Sequence, residues 1–191
     1  MTRMRSEDTR LPSRSTQRGF GLAEQIVTLA VLAVFATIAV PSFRHLLEGH
    51  ELRTAQADYM AALQHARNLA INEQRQIIFC PSRDGIRCSS DGWWNGGWLI
   101  GRHDLDNKGQ PLGQPLYTGG RYSKKIVIIG SDTKKYIAFK TDGSVAGTNQ
   151  TLSFCIRGEP QPVLKVLIAL RGRVRGEVAN AGDTTPCAAS E

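Results

Sequence analysis

A carboxylate, Glu24, sits at the start of a long apolar segment, and that combination limits what the N-terminal part of this chain can be. Residues Arg18-Gly19-Phe20-Gly21-Leu22-Ala23-Glu24 run straight into the segment, and from Ile26 to Val40 only Thr28 and Thr37 interrupt the apolar side chains. Counted from Phe20, the stretch reaches the ~20 residues needed to cross a bilayer. An unpaired carboxylate in apolar surroundings is costly, so Glu24 calls for a counter-charge. The sequence offers one, an α-amino group at Phe20 formed by cutting after Gly19. A secretory signal peptide would place small residues at a cut site after the apolar run. Here Val40-Pro41-Ser42-Phe43 continues into a helical pattern instead. Ahead of Gly19, Arg3, Arg5, Arg10, Arg14 and Arg18 outnumber Glu7 and Asp8. That excess holds the N-terminus on the cytoplasmic side and sends the C-terminal part across the membrane.

The segment resembles the class III signal of type IV pilins and type II secretion pseudopilins. The resemblance implies that a prepilin peptidase cuts between Gly19 and Phe20 and that Phe20 is then N-methylated. It also implies that Glu24 serves assembly with other major and minor pilins or pseudopilins, and that Pro41 kinks the helix. Gly21 and Gln25 stand where the family usually shows Thr and Leu. The glycine weakens the first helical turn, and the glutamine puts an amide into the anchor.

A chain of 191 residues fits one domain plus an anchor. After Pro41, apolar positions recur at Leu46, Leu47, Leu52, Ala55, Tyr59, Ala62, Leu63, Ala66, Leu69 and Ala70, in steps of three and four that mark one helical stripe. Past Gln76 the pattern changes to short apolar runs separated by turn residues. Strands are expected at 77–79, 98–100, 116–117, 125–129, 136–140, 151–156, 163–170 and 173–178. The expected organisation is a removed leader over 1–19 and a transmembrane assembly helix over 20–43. An amphipathic continuation of the helix follows over 44–76, then a β-rich periplasmic head over 77–191 with a tethered tail. The fold class is α+β and pilin-like, a long N-terminal helix, membrane-spanning in its first half, packed on an antiparallel β head.

A head outside the cytoplasm sits where disulfides persist. Cys80, Cys88, Cys155 and Cys187 contain no Cys-x-x-Cys pair, which argues against zinc. Three pairings are possible. The favoured one joins Cys80 to Cys88 across a short loop and Cys155 to Cys187, tying the tail to the sheet.

No catalytic, metal or cofactor site emerges from the remaining chemistry-bearing residues. Asp104-Leu105-Asp106-Asn107-Lys108-Gly109 begins like a calcium loop, but Lys108 and Pro115 stand where oxygen ligands are required. The segment reads as an Asx turn. His45, His50, His65 and His103 form no metal-ligating set, and no local signature of nucleophilic catalysis is present. Trp98, on a strand, reads as core. Trp93 and Trp94, in a glycine-rich loop, read as packing residues, with base stacking as the alternative.

The net charge is +7, of which five arginines and two acids in residues 1–19 contribute +3. The remaining excess is mild, so the placement of charge matters more than its sum. Arg171-Gly172-Arg173-Val174-Arg175-Gly176 is the main candidate. In an extended strand Arg171, Arg173 and Arg175 share one face, ~6–7 Å apart, near the spacing of phosphates along a nucleic-acid strand. Guanidinium groups bind phosphate bidentately, and the glycines would let a polyanion approach the backbone. Lys124, Lys125, Lys134, Lys135 and Lys140 would widen the patch. A solvated edge strand, charged against aggregation, is the plain alternative.

Trp94-x-x-Gly97-Trp98-Leu99-Ile100, the turn at 104–109, Gly143 and Gly172-Arg173-Val174-Arg175 together resemble the GspH/FimT group of minor pilins. In the FimT branch a Gly-Arg-x-Arg element is associated with DNA capture during natural transformation. The resemblance therefore implies a minor pilin of the bacterial inner membrane, head in the periplasm, that enters a pilus and binds DNA without sequence specificity. The alternative it leaves open is a structural GspH-like pseudopilin of a type II secretion system, or a pilus-assembly primer, without a DNA role.

Overall fold

The computed structural model describes residues 21–107, 109–131, 135–158 and 163–180. The chain divides into two compact units, Met1–Phe43 and Arg44–Glu191. One helix, α1, spans Leu22–Glu73 and contributes to both.

In the first unit the side chains of Leu22–Phe43 are exposed throughout, and the segment is long and apolar enough to cross a membrane. Its two threonine hydroxyls bond within the helix. Thr28 Oγ1 donates to Gln25 O (2.9 Å) and Thr37 Oγ1 to Val34 O (2.7 Å). Such bonds satisfy a hydroxyl without water, as apolar surroundings would require. Glu24 lies in the first turn, where its N–H and that of Gln25 both bond to Gly21 O (3.0 and 3.2 Å). Gly19 and Phe20 lie outside the described residues.

In the second unit, α1 buries Leu52, Ala55, Tyr59, Ala62, Leu63, Ala66 and Ala70. Four alanines on this stripe let the helix backbone approach the sheets closely, while Leu52, Tyr59 and Leu63 fill the space between. Each buried leucine removes enough apolar surface to stabilise the fold by about 2 kcal/mol. The helix ends at Glu73, three residues before the Gln76 expected from periodicity. Gln74 takes a left-handed backbone (φ 51°) that stops the helix, and its side-chain amide bonds back to Ile71 O (2.7 Å).

Among the described residues eight strands follow: β1 (Ile77–Pro81), β2 (Trp98–Arg102), β3 (Tyr117–Gly119), β4 (Ile126–Gly130), β5 (Ile137–Phe139), β6 (Gln150–Ile156), β7 (Leu164–Ile168) and β8 (Val174–Val178). They form two four-stranded antiparallel sheets, ordered β3-β2-β1-β5 and β4-β6-β7-β8. The inner faces of both sheets meet α1 in one core. Alternation along β6 and β7 sends Leu152, Phe154, Ile156, Leu164, Val166 and Ile168 inward. Residues of opposite parity, Val127, Cys155 and Val163, form a smaller cluster with Ala179 on the outer face.

Tyr59 is the centre of the core. Its ring meets Phe79, Trp94 and Phe154 edge-on, and its hydroxyl donates to Trp94 O. Burial pushes that hydroxyl's pKa well above the usual tyrosine value. Trp94 is buried and stacks on Phe79 at 5.6 Å, so it belongs to the core; Trp93 stays partly exposed.

The crossover from β3 to β4 is strapped to α1 by a row of carboxylates. Tyr122 Oη donates to Asp58 (2.8 Å), Ser123 N and Oγ donate to the two Glu51 oxygens (2.7 and 2.8 Å), and Lys125 pairs with Glu48. Burial, then the Asp58 carboxylate, raises the Tyr122 hydroxyl far above its ordinary range. Hydrogen bonding from Lys125 holds the Glu48 carboxyl below its ordinary value of 4.5. A carboxyl depressed on folding stabilises above its unfolded pKa and loses that contribution as pH falls through the folded one. Glu48→Gln is therefore expected to lower the thermal midpoint at about pH 7 and to lower it less at about pH 3. Melts followed by circular dichroism at both pH values check this; an equal deficit at both would disprove it.

Candidate functional site

The basic element identified in the sequence lies on the β7–β8 hairpin, and the turn decides how its arginines are displayed. Ile168 pairs with Val174, Ala169 N–H bonds to Arg173 O (2.9 Å), and Gly172 N–H bonds to Ala169 O (2.8 Å). Gly172 has φ 77°. This is a three-residue hairpin loop closed by a left-handed glycine. Arg171 therefore sits in the turn and not on the strand, which corrects the expected three-arginine alternation. Arg173 and Arg175 do share the outer face, with Glu177 next along it.

The glycines also serve a different purpose from the one expected. A Cβ on Gly172 would lie 1.8 Å from Gly143 O, and one on Gly176 would lie 2.6 Å from Met60 Sδ. Both glycines thus make room for this chain's own backbone and helix and do not open a path to a ligand. Gly143 O accepts from Arg67 Nε of α1 (3.1 Å). Leu170 O accepts from Val145 N–H (2.8 Å), and Leu170 N–H donates to Asn149 Oδ1 (2.6 Å). The hairpin tip is therefore bonded through Leu170 to Val145 and Asn149, and Gly172 packs against Gly143 O, which Arg67 holds from the helix. Sequence reasoning missed this role of Arg67; the glycines at 143 and 172 were its only local signal.

Register aligns Thr151, Leu167 and Arg175 in one row across β6, β7 and β8. Beside that row a shallow groove of about 260 Å³ is lined by Asn149, Thr151, Leu167, Ala169, Arg173 and Arg175. Arg175 lies 3.9 Å from Glu177, both well exposed, so the contact neutralises its charge only weakly. The groove offers two guanidinium groups, a side-chain amide and a hydroxyl over an aliphatic floor, a donor-rich set suited to an anion.

The predicted lysines divide. Ser131 N–H bonds to Thr151 O (2.8 Å), which sets Ser131 beside the arginine row, and Lys135 is exposed. Lys134 lies outside the described residues. Lys124 and Lys125 stand at the other end of the far strand, where Lys125 O accepts from Arg157 N–H (2.7 Å). Strand geometry places them roughly 25 Å from Arg175. Lys125 is moreover committed to Glu48, so these two residues do not widen the patch.

Cys80 and Cys88 are bridged, with Cα atoms 5.5 Å apart. Gln110 braces the loop, accepting from Cys88 N–H and donating to Cys88 O (both 3.1 Å). Cys155 is also disulfide-bonded; its expected partner, Cys187, lies outside the described residues. Asp104 Oδ1 accepts from Asp106 and Asn107 N–H (3.0 and 3.2 Å), an Asx turn. Among the described residues no group of three His, Cys, Asp or Glu is placed to hold a metal. His103 Nδ1 lies 3.2 Å from Gln76 Oε1, and burial lowers its pKa.

A long N-terminal helix packed on two antiparallel sheets is the pilin fold. The family model described as type II transport protein GspH matches residues 55–172, and the chain belongs to that family. A crystal structure of the type IV minor pilin FimU of Pseudomonas aeruginosa (strain PAO1), in space group P21, superimposes with a TM-score of 0.57 at 21% identity. That match covers 71% of this chain and 93% of the other. FimU in space group P65 gives 0.54 at 20% identity, covering 69% and 94%. The minor pseudopilin EpsH of the Vibrio cholerae type 2 secretion system gives 0.48 at 15% identity, covering 67% and 97%. No curated protein sequence matches the chain.

The hairpin geometry predicts a sharp contrast. Gly172→Ala should destabilise the protein by at least ~2 kcal/mol, from backbone strain and the clash with Gly143. Arg171→Ala, at an exposed turn position, should change stability by less than ~0.5 kcal/mol. Thermal melts of the two variants check this; equal effects would overturn the account of the turn.

Proposed function

We propose that the chain is a minor type IV pilin whose leader, residues 1–19, is removed by prepilin peptidase and whose mature N-terminus is N-methylated Phe20. Residues 20–43 anchor it in the bacterial inner membrane with the head in the periplasm, until Glu24 meets the α-amine of a neighbouring subunit and the helix enters the filament. Its role is structural and adhesive, with no catalysis.

The outer face of the β4-β6-β7-β8 sheet binds DNA through phosphate contacts from Arg173 and Arg175, with Arg171 at the turn and with Lys134 and Lys135 as auxiliaries. The observation that carries this reading is the exposed Arg173–Arg175 pair over a donor-rich groove on a rigidly held hairpin. Binding of this kind reads no base sequence and weakens with salt as counterions are released. In the cell it would support DNA uptake in natural transformation.

A second reading is a pseudopilin of a type II secretion system with no DNA role. The description of the matching family, type II transport protein, favours it. In that case the arginine face would meet another protein.

Gel shifts over a salt series separate the two. Arg173→Ala with Arg175→Ala should abolish most binding at low salt, Arg171→Ala should weaken it less, and Lys124→Ala with Lys125→Ala should leave it unchanged. With two or three phosphates engaged, log K should fall with log salt at a slope of about −2 to −3. Unchanged affinity in the double arginine variant would refute the assigned face. For assembly, Glu24→Ala should still be processed but reach sheared filaments at a much reduced level, because the amine of a neighbouring Phe20 then lacks its counter-charge in lipid. Normal incorporation would contradict that role.

A further inference from the structure

Strand β8 forms one edge of its sheet, and among the described residues no strand lies beside its outer side. Its residues are largely exposed, Val178 at 65%. The hairpin fixes which backbone groups are free. Ala169 N–H bonds to Arg173 O, and Ala179 N–H bonds to Val163 O. Arg173, Arg175, Glu177 and Ala179 thus turn their N–H and C=O groups toward β7. Val174, Gly176 and Val178 turn theirs outward, where an added strand would meet them.

We infer that this edge pairs with the same edge of a second copy of the chain, antiparallel and centred on Gly176. About that centre, Val174 stands opposite the second copy's Val178, and Gly176 opposite its Gly176. These are the residues with outward backbone groups, so each pair exchanges two hydrogen bonds. Between them, Arg175 stands opposite Glu177 of the other copy, twice by symmetry. Those positions are non-hydrogen-bonded pairs, in which side chains approach most closely. The valines meet on the inner face and cover the exposed Val178.

Charge sets the register. Sliding the strands by two residues in one direction opposes Arg175 to Arg175, and in the other opposes Glu177 to Glu177. Both are repulsive. Charged side chains ordinarily protect an edge from pairing; here their order along the strand, positive then negative about a glycine, makes the edge complementary to itself. The intrachain Arg175–Glu177 contact, at 3.9 Å between exposed groups, is loose enough to exchange for the closer one. Joining the sheets places the Arg173 and Arg175 side chains of both copies on one continuous outer face. The pairing does not depend on DNA binding and is measured without DNA.

Sedimentation of the full-length chain in detergent tests it. The unsubstituted chain should show a concentration-dependent dimer. Arg175→Glu alone, or Glu177→Arg alone, turns two attractive pairs into two repulsive ones and should weaken dimerisation at least ~10-fold. Combining Arg175→Glu with Glu177→Arg exchanges the charges and should restore the dimer. A chain that remains monomeric at the highest soluble concentration overturns the inference. So do single variants that dimerise as strongly as the original, which would place the contact in the apolar helix, and so does a double variant that fails to recover.

Discussion

Tyr59 is where the helix, both sheets and the glycine-rich loop meet, and the architecture of the head depends on its burial. The ring touches Phe79 of one sheet and Phe154 of the other, while the hydroxyl takes up Trp94 O from the loop. A single side chain thus supplies both apolar contact and a polar partner for the carbonyl of a buried residue in an irregular loop. A phenylalanine would keep the contacts and orphan the carbonyl, a loss of the unsatisfied-group kind. The alanines around Tyr59 on α1 bring the helix close enough for that one ring to reach both sheets.

From this centre the outward-facing features follow by register. Once Leu152, Phe154, Leu164 and Val166 face the helix, Thr151, Lys165, Leu167, Arg175 and Glu177 must face away. The arginine face is therefore a consequence of core packing, held near its tip by the bonds of Leu170 to Val145 and Asn149. The same parity leaves alternate backbone groups of β8 pointing into open space. The face that can attract a polyanion and the edge that can accept a strand are two aspects of one alternation.

Much of the architecture was legible beforehand. The change from a helical period to short apolar runs near Gln76 located the head, and all eight strands fall within a few residues of their expected positions. The helix end was misplaced by three residues because Gln74 stops it through a left-handed backbone that no periodicity reports. The shared face of Arg171, Arg173 and Arg175 was expected only for an extended segment, and the alternation of arginine and glycine reads identically in a hairpin turn and in an extended edge. Only the hydrogen bonds between Ala169, Gly172 and Arg173 tell the two apart.

The sequence by itself determined the elements and their buried sides, since side-chain periodicity is a local property. It also displayed the apolar segment beginning at a carboxylate, because that feature is contiguous in the chain. Which charges become neighbours was decided only by tertiary structure. Lys125 looks like part of a basic cluster, yet it pairs with Glu48, 77 positions away, across the head. Gly172 looks like ligand-accessible backbone, yet it packs on Gly143. Strand order sets those distances, and strand order results from the joint packing of two sheets on one helix, which no short segment encodes.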